Sequence, residues 1–325
     1  MRGKRGLGSS VRHTAEGNVP PMQLGVIACF LDEEACLPAF LASIAAQTRA
    51  PDRLLLVDDG SADESLRLAR EYAATHANTL VLSRPRRPPQ RDRLATAAEL
   101  EAFSWAVEQL DIDWEVVAKL DADLCLSPGM FAELERQLEA DPGLGIVGAF
   151  QGLRVADGSV VRERCPADHV RGSTKFYRRS CFEQVYPLPF LLGWDTSDEV
   201  RARMAGWRTR SFSIPGGDPV LMRATATRDG VLRGYRRNGV AAYAYGASFW
   251  WVLLGALDRM RYQPRVLGGL SVVQGWLTAL LRSHPRADAE QRAFIAGEHR
   301  ARLRSVLLGR ASRRRDAGVE PTASG

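Results

Sequence analysis

Apolar and polar positions follow two rhythms in the first half of the chain. Leu24–Cys29, Arg53–Val57, Thr79–Leu82, Glu115–Leu120 and Gly145–Phe150 are short apolar runs bounded by turn residues, which predicts buried strands. Between them, apolar residues recur at three- and four-residue spacing. Leu37, Phe40, Leu41 and Ile44 form one such stripe; Leu100, Phe103, Val107 and Leu110 a second; Met130, Phe131, Leu134 and Leu138 a third. Each predicts a helix with one buried face. A further helix opens after the loop Asp58–Asp63, with Ser61 or Asp63 as its cap. Strand and helix alternate, so the expected fold class is α/β, a mostly parallel central sheet with helices on both faces.

After Phe150 the rhythm changes. Val155–Val161 reads as a hairpin turning at Asp157-Gly158. Ser173–Val185 and Ser197–Ala205 are predicted helical. From Val240 the chain becomes apolar and aromatic, and from Arg300 it is rich in arginine. The expected organisation is a disordered tail over 1–20, an α/β domain over 21–225, a C-terminal apolar and aromatic helical region over 226–310, and a second disordered tail over 311–325.

Composition narrows the function classes. At 325 residues and 45% hydrophobic content, a sizeable core can form and wholesale disorder is excluded. The net charge of +6 is too modest to point to nucleic acid, and none is expected as a partner. The five cysteines form no CxxC pair, so free thiols are expected rather than a disulfide framework or a zinc site. Residues 1–20 carry Arg2, Lys4 and Arg5 but no apolar run, so no cleavable signal is read and a cytoplasmic location is expected. Walker, HExxH and GxSxG patterns do not occur.

Two acidic clusters follow predicted strands: Asp58-Asp59-Gly60-Ser61 and Asp121-Ala122-Asp123. Open α/β sheets bind ligands outside the carboxyl ends of their strands. Carboxylates gathered there repel one another unless a cation or hydrogen-bond donors offset them. Hard oxygen ligands suit Mg2+ or Mn2+ with room for substrate phosphates. Taken alone, Asp123 could equally cap the following helix or tighten a turn.

Val26-Ile-Ala-Cys-Phe-Leu-Asp-Glu-Glu34, Gln47-Thr48, Val57-Asp-Asp-Gly-Ser61 and Leu120-Asp-Ala-Asp123, in this order, resemble the nucleotide-sugar half of family 2 glycosyltransferases of the bacterial polysaccharide or glycoconjugate type, over roughly residues 23–215. The resemblance implies the GT-A fold, a nucleoside-diphosphate sugar donor and a divalent cation, Mg2+ or Mn2+. It implies that Asp59 contacts the donor base, that Asp123 binds the metal directly, and that Asp121 is its partner near the ribose and diphosphate. Asp32, where the family usually has Asn, and Glu34 fall in the nucleotide-binding loop. Gly193-Trp-Asp-Thr-Ser-Asp-Glu199, followed by Arg201 and Gly206-Trp-Arg208, resembles the segment carrying the catalytic base. Counting back from Gly206 puts the base at Asp195, with Trp194 replacing the usual Glu; Asp198, one turn on, is the alternative. Asp195 is also a reasonable helix N-cap. The family often carries a metal-site His after this helix. Pro219–Arg223 has none, which implies fewer protein ligands and more water. Asp168–Ser173, with His169, resembles a segment lining the acceptor site. The arginines of Arg84–Arg93 are placed to clamp a diphosphate or to form a solvated basic loop.

The expected activity is therefore metal-dependent, inverting transfer of a sugar to a hydroxyl of a glycan or lipid-linked acceptor. Two rivals stand beside it. A DxD phosphatase normally has a small hydroxyl residue after the motif, where this chain has Leu124-Cys125, and it leaves Asp58-Asp59 without a role. A nucleotide-binding subunit without turnover is compatible with Trp194 and the missing His. Val240–Leu257 and Val266–Leu281 are uncharged, aromatic-bearing stretches flanked by arginines, too broken by glycine and polar residues to span a bilayer. They are expected either to pack as a helical subdomain or to attach peripherally to anionic lipid on the inner face of the cell membrane.

Overall fold

The structure, a computed structural model, describes residues 21–87, 97–155, 157–222, 230–262 and 264–316. The expected N-terminal tail, most of the Arg84–Arg93 loop, and Arg223 lie outside the described residues.

Seven strands form the central sheet in the order β3 (Thr79–Ser83), β2 (Arg53–Asp58), β1 (Leu24–Phe30), β4 (Val116–Asp121), β9 (Thr174–Arg178), β6 (Leu144–Ala149), β10 (Arg208–Phe212). β1, β2, β3 and β4 pair in parallel, as does β10 with β6, while β9 runs antiparallel to both its neighbours. Strand side chains alternate between faces. On β1, Val26, Ala28 and Phe30 pack with α1 (Leu37–Ala45) and α4 (Met130–Ala140). Ile27 points the other way, toward α3 (Ala98–Val107), α5 (Arg179–Val185) and α6 (Trp194–Met204). Both faces are thus buried, which is why these strands read as continuous apolar runs. α2 (Ser65–Thr75) links β2 to β3.

A smaller sheet takes the order β5 (Leu124–Cys125), β11 (Val220–Leu221), β7 (Gly152–Arg154), β8 (Val160–Arg162). Its β7–β8 pair is the hairpin expected near Asp157-Gly158, with Arg154 opposite Val160.

Two sequence readings need correction. Ser173–Val185 is not one helix: Thr174–Arg178 is the strand β9, and the helix begins at Arg179. The charge of Lys175 disguised a strand buried on both faces. Asp195 is not a helix cap either. Gly193, at φ +83°, occupies that position, and Asp195 stands in the first turn of α6.

The C-terminal part consists of α7 (Val231–Tyr245), α8 (Phe249–Arg259), α9 (Leu267–Leu281) and α10 (Ala289–Asp316). α10 therefore continues into the stretch read from sequence as a tail from 311. α7 and α9 cross at glycines: a Cβ on Gly239 would overlap the Val272 carbonyl oxygen, and one on Gly275 the Arg236 carbonyl. The bundle is fastened to α6. Gln291 donates to the Ser197 hydroxyl at 2.8 Å, and Arg203 pairs with Glu298 at 2.7 Å.

Gly239→Leu should lower stability by about 1–3 kcal/mol or more, because the side chain meets backbone that cannot yield. Gly255→Ala on α8, with nothing within 4 Å of the added Cβ, should be neutral or stabilising. Thermal unfolding of both variants checks the crossing; equal effects would contradict it.

Candidate active site

β1 runs between β2 and β4, and the register places Phe30 beside Asp58 and Cys29 beside Asp121. The two acidic clusters therefore leave the sheet at the same edge, on either side of β1. Asp58 is buried. Its carboxylate accepts the Ser61 N–H at 2.8 Å and the Ser83 hydroxyl at 3.0 Å, so it builds the turn. Gly60 makes that turn at φ +89°, with the Arg86 backbone so close that any Cβ would overlap it. Asp59, 3% exposed, pairs with Arg84 at 3.1 Å. Arg84 also donates to Glu101 at 2.8 Å, in the first turn of α3.

Asp32 and Glu34 lie beside this turn and tie two loops together. Asp32, at φ +52°, accepts the Ala62 N–H at 2.7 Å and faces Arg86 at 3.5 Å. Glu34 accepts the Glu64 N–H at 3.1 Å, while its own N–H donates to Asp63 at 3.1 Å. Both side chains thus hold the loop that carries Asp59.

Across β1, Lys119 is buried and its ammonium pairs with both Glu99 and Asp121. A buried ammonium demands such partners. Burial works to raise the Asp121 carboxyl, but Lys119 outweighs it and holds the group below the usual range. Glu99, from the first turn of α3, goes the other way: burial, with Asp121 beside it, pushes its carboxyl well up. Asp123 follows two residues on, half-buried, in the turn between β4 and β5, where its carbonyl accepts the Met222 N–H at 2.9 Å.

Asp121 and Asp123 offer carboxylate oxygens, the donor chemistry that Mg2+ and Mn2+ take. Among the described residues, no group of three or more His, Cys, Asp or Glu side chains converges to cage an ion. The donor set therefore fits a cation that completes its shell with a substrate diphosphate and water, and does not fit an all-protein site.

Asp195 reaches the same edge. Its Oδ2 lies 3.0 Å from where a Cβ on Gly172 would sit, and the next residue, Ser173, accepts the Asp121 N–H through its carbonyl at 3.1 Å. The Trp194 ring lies 5.7 Å from the Lys119 ammonium, joining the start of α6 to the Asp121 cluster.

Asp198 is placed differently. It is fully buried, with the Lys175 ammonium 2.7 and 2.8 Å from its two oxygens and the Tyr177 hydroxyl donating at 2.6 Å. It is thus part of a buried network, whereas Asp195 is half-buried. Lys175 also pairs with Glu199 at 3.2 Å and donates to the Asp195 carbonyl. Burial works to raise the Glu199 carboxyl, but Lys175 and His169 prevail and hold it low.

His169 lies 3.1 Å from Glu199 and lines a cavity of about 250 Å³ shared with Thr196, Arg203, Trp251 and His299. His299 stacks on Trp251 at 4.2 Å, and its buried Nδ1 has no hydrogen-bond partner among the described residues. Glu99, Lys119, Lys175 and Tyr177 were missed as site-building residues. The signal was present for Lys119: a lysine within an otherwise apolar buried strand requires a carboxylate from elsewhere in the chain.

Lys175→Met removes the ammonium shared by two buried carboxylates and should cost about 3–5 kcal/mol in urea unfolding. Adding Asp198→Asn should recover part of that loss. Strictly additive effects would show that the pair does not interact.

The Glycosyl transferase family 2 model matches residues 25–189, from β1 to the residues preceding α6. Curated proteins give no significant sequence match. Among solved structures, the mannosyltransferase PcManGT from Pyrobaculum calidifontis, in complex with GDP-Man and Mn2+, is similar at 15% identity and a TM-score of 0.52, covering 87% of this chain and 81% of that one. GalNAc-T7 with UDP, GalNAc and Mn2+ is similar at 12% identity and a TM-score of 0.55, covering 87% of this chain and 55% of that one. These likenesses carry the GT-A fold. With the family match spanning half of its length, the chain belongs to glycosyl transferase family 2.

Proposed function

We propose that this glycosyltransferase moves a sugar from a nucleoside-diphosphate donor to a hydroxyl of a glycan or lipid-linked acceptor, with inversion and with Mg2+ or Mn2+. The observation that carries the reading is the convergence of Asp59, Asp121 and Asp195 on one sheet edge, through the β1 register and the Gly172–Ser173 backbone. The bound nucleotides and Mn2+ of the two similar structures support the donor and metal classes.

The roles follow from the chemistry of each group. Asp59, with Arg84 offsetting its charge, accepts a base N–H. Asp121, kept ionised by Lys119, accepts a ribose hydroxyl. Asp123 holds the cation, with Asp121 at its side. When bound, that cation neutralises charge on the departing diphosphate. Asp195 takes the proton of the acceptor hydroxyl as it attacks the anomeric carbon from the opposite face. Asp195 suits this better than Asp198, because it is half-buried rather than sealed. No covalent intermediate is required, and positioning supplies much of the rate. The reading includes a peripheral position on the cytoplasmic face of the inner membrane, where a lipid-linked acceptor is presented.

Asp123→Ala should abolish metal-dependent nucleotide binding, measured by calorimetry with UDP, GDP, CDP and dTDP sugars plus Mn2+, without unfolding the protein. Asp59→Ala should weaken nucleotide binding with or without metal. Unchanged affinity in both variants would remove the donor site from this edge.

Asp195→Asn should bind donor normally and lose sugar transfer by about 100-fold or more, in line with the contribution of a general base. Asp198→Asn should instead act mainly on stability. The reverse pattern would move the base to Asp198.

A further inference from the structure

α8 and α9 pack against each other through small residues: a Cβ on Gly269 would overlap the Ala256 carbonyl. Away from that seam, both helices are apolar. Trp250, Leu254 and Leu257 stand on one face of α8, at 71%, 46% and 52% exposure. Leu267, Leu270 and Leu281 do the same on α9, at 58%, 51% and 83%. Of the sixteen large apolar side chains exposed among the described residues, eleven lie between Val231 and Leu281. Scattered exposed apolar residues are ordinary, but this concentration marks an interaction surface.

Charge identifies the occupant. Between Val231 and Arg286 the sequence holds eight arginines and a single acid, Asp258, whereas the whole chain carries only +6. The excess positive charge of the protein thus falls in the segment that carries the apolar face, and the rest of the chain is slightly negative. Arg236, Arg265 and Arg282 are exposed beside it. An apolar protein partner would need no such rim, and a second copy would bring the same positive charge against it. An anionic lipid surface satisfies both features. The helices are too short to cross one: α8 has 11 residues and α9 has 15, and no helix among the described residues is long and apolar enough to span.

We propose that the outward face of α8 and α9 lies in the interface of an anionic bilayer, with Trp250 and the leucines among the lipid chains and the arginines at the headgroups. The docked bundle bears directly on the site, because α7 packs on the start of α6: Ala241 lies 3.0–3.2 Å from where a Cβ on Gly193 would sit. Binding would hold the helix that carries Asp195 close to the lipid surface. The purpose of the contact rests on the proposed transfer to a membrane-borne acceptor, whereas the contact itself requires no turnover.

The test is flotation of the full chain with vesicles of phosphatidylglycerol and phosphatidylcholine, against phosphatidylcholine alone, at low and high salt. The protein should float with the anionic vesicles and be released by salt. Leu254→Glu with Leu270→Glu, both at exposed positions, should lower the bound fraction about tenfold or more with an unchanged circular dichroism spectrum. Tryptophan emission should shift to the blue on vesicle addition, and Trp250→Phe should remove that shift. Absence of flotation at low salt, equal flotation of the glutamate variant, or a dimer that the glutamate variant dissociates without any vesicle binding would each overturn the proposal. Nucleotide affinity is measured on the same samples. Flotation without nucleotide binding would leave the docking surface standing and overturn the transferase reading instead.

Discussion

Repulsion among carboxylates at one sheet edge is the constraint on which the rest of the structure depends. Asp58, Asp59, Asp121 and Asp123 emerge together because β1 sits between β2 and β4. In a partly buried setting, unpaired like charges at this spacing are costly. The chain resolves the conflict residue by residue: Asp58 is absorbed into a turn, Arg84 answers Asp59, and Lys119 answers Asp121. α3 brings two acids in its first turn, Glu99 and Glu101, which complete the shells of Lys119 and Arg84. Acids suit that end of a helix, where the backbone dipole is positive. One offsetting cation, Lys119, lies within β4 itself, and the other, Arg84, just after β3.

A second ammonium organises the other half of the sheet. Lys175 on β9 joins Asp198, Glu199 and the Asp195 carbonyl, so the first turns of α6 are fixed to the strand next to β4. Such buried clusters contribute little net stability compared with apolar packing, yet losing one member is expensive. Their effect is geometric. Lys119 and Lys175 together determine where Asp121 and the start of α6 stand relative to each other, and the Trp194 ring over Lys119 joins the two clusters.

How much of this was legible in the sequence follows from what each signal encodes. The five strands of the first half were readable because their apolar runs are bounded by turns, and the acidic clusters were readable because they follow those runs. β9 was not, since Lys175 and Arg178 broke the apolar pattern of a strand whose first four residues are buried. Partners were also hidden. Nothing local links Glu99 to Lys119, or Lys175 to Asp198, because those contacts depend on the strand order around β9, which periodicity does not report. Asp198 shows the same limit. Motif spacing favours Asp195 but keeps Asp198 as an alternative one turn on, and the burial of the α6 face toward Lys175 and Tyr177 is not visible to it.

The distribution of charge over the whole chain links these local arrangements. Positive charge is concentrated in α7 to α9, while the edge that carries the aspartates is acidic. A nucleotide diphosphate is itself anionic, so its approach to an acidic edge is unfavourable unless cations accompany it or the arginines after β3 take part. Arg84 is already committed to Asp59 and Glu101, and Lys119 is buried between Glu99 and Asp121. Neither can neutralise a diphosphate without abandoning a carboxylate. A mobile divalent ion avoids that exchange: it adds positive charge at the edge without breaking the pairs that hold the aspartates in place. Arg84 and Lys119 are thus spent on the protein's own acids, which favours the metal-assisted reading proposed above.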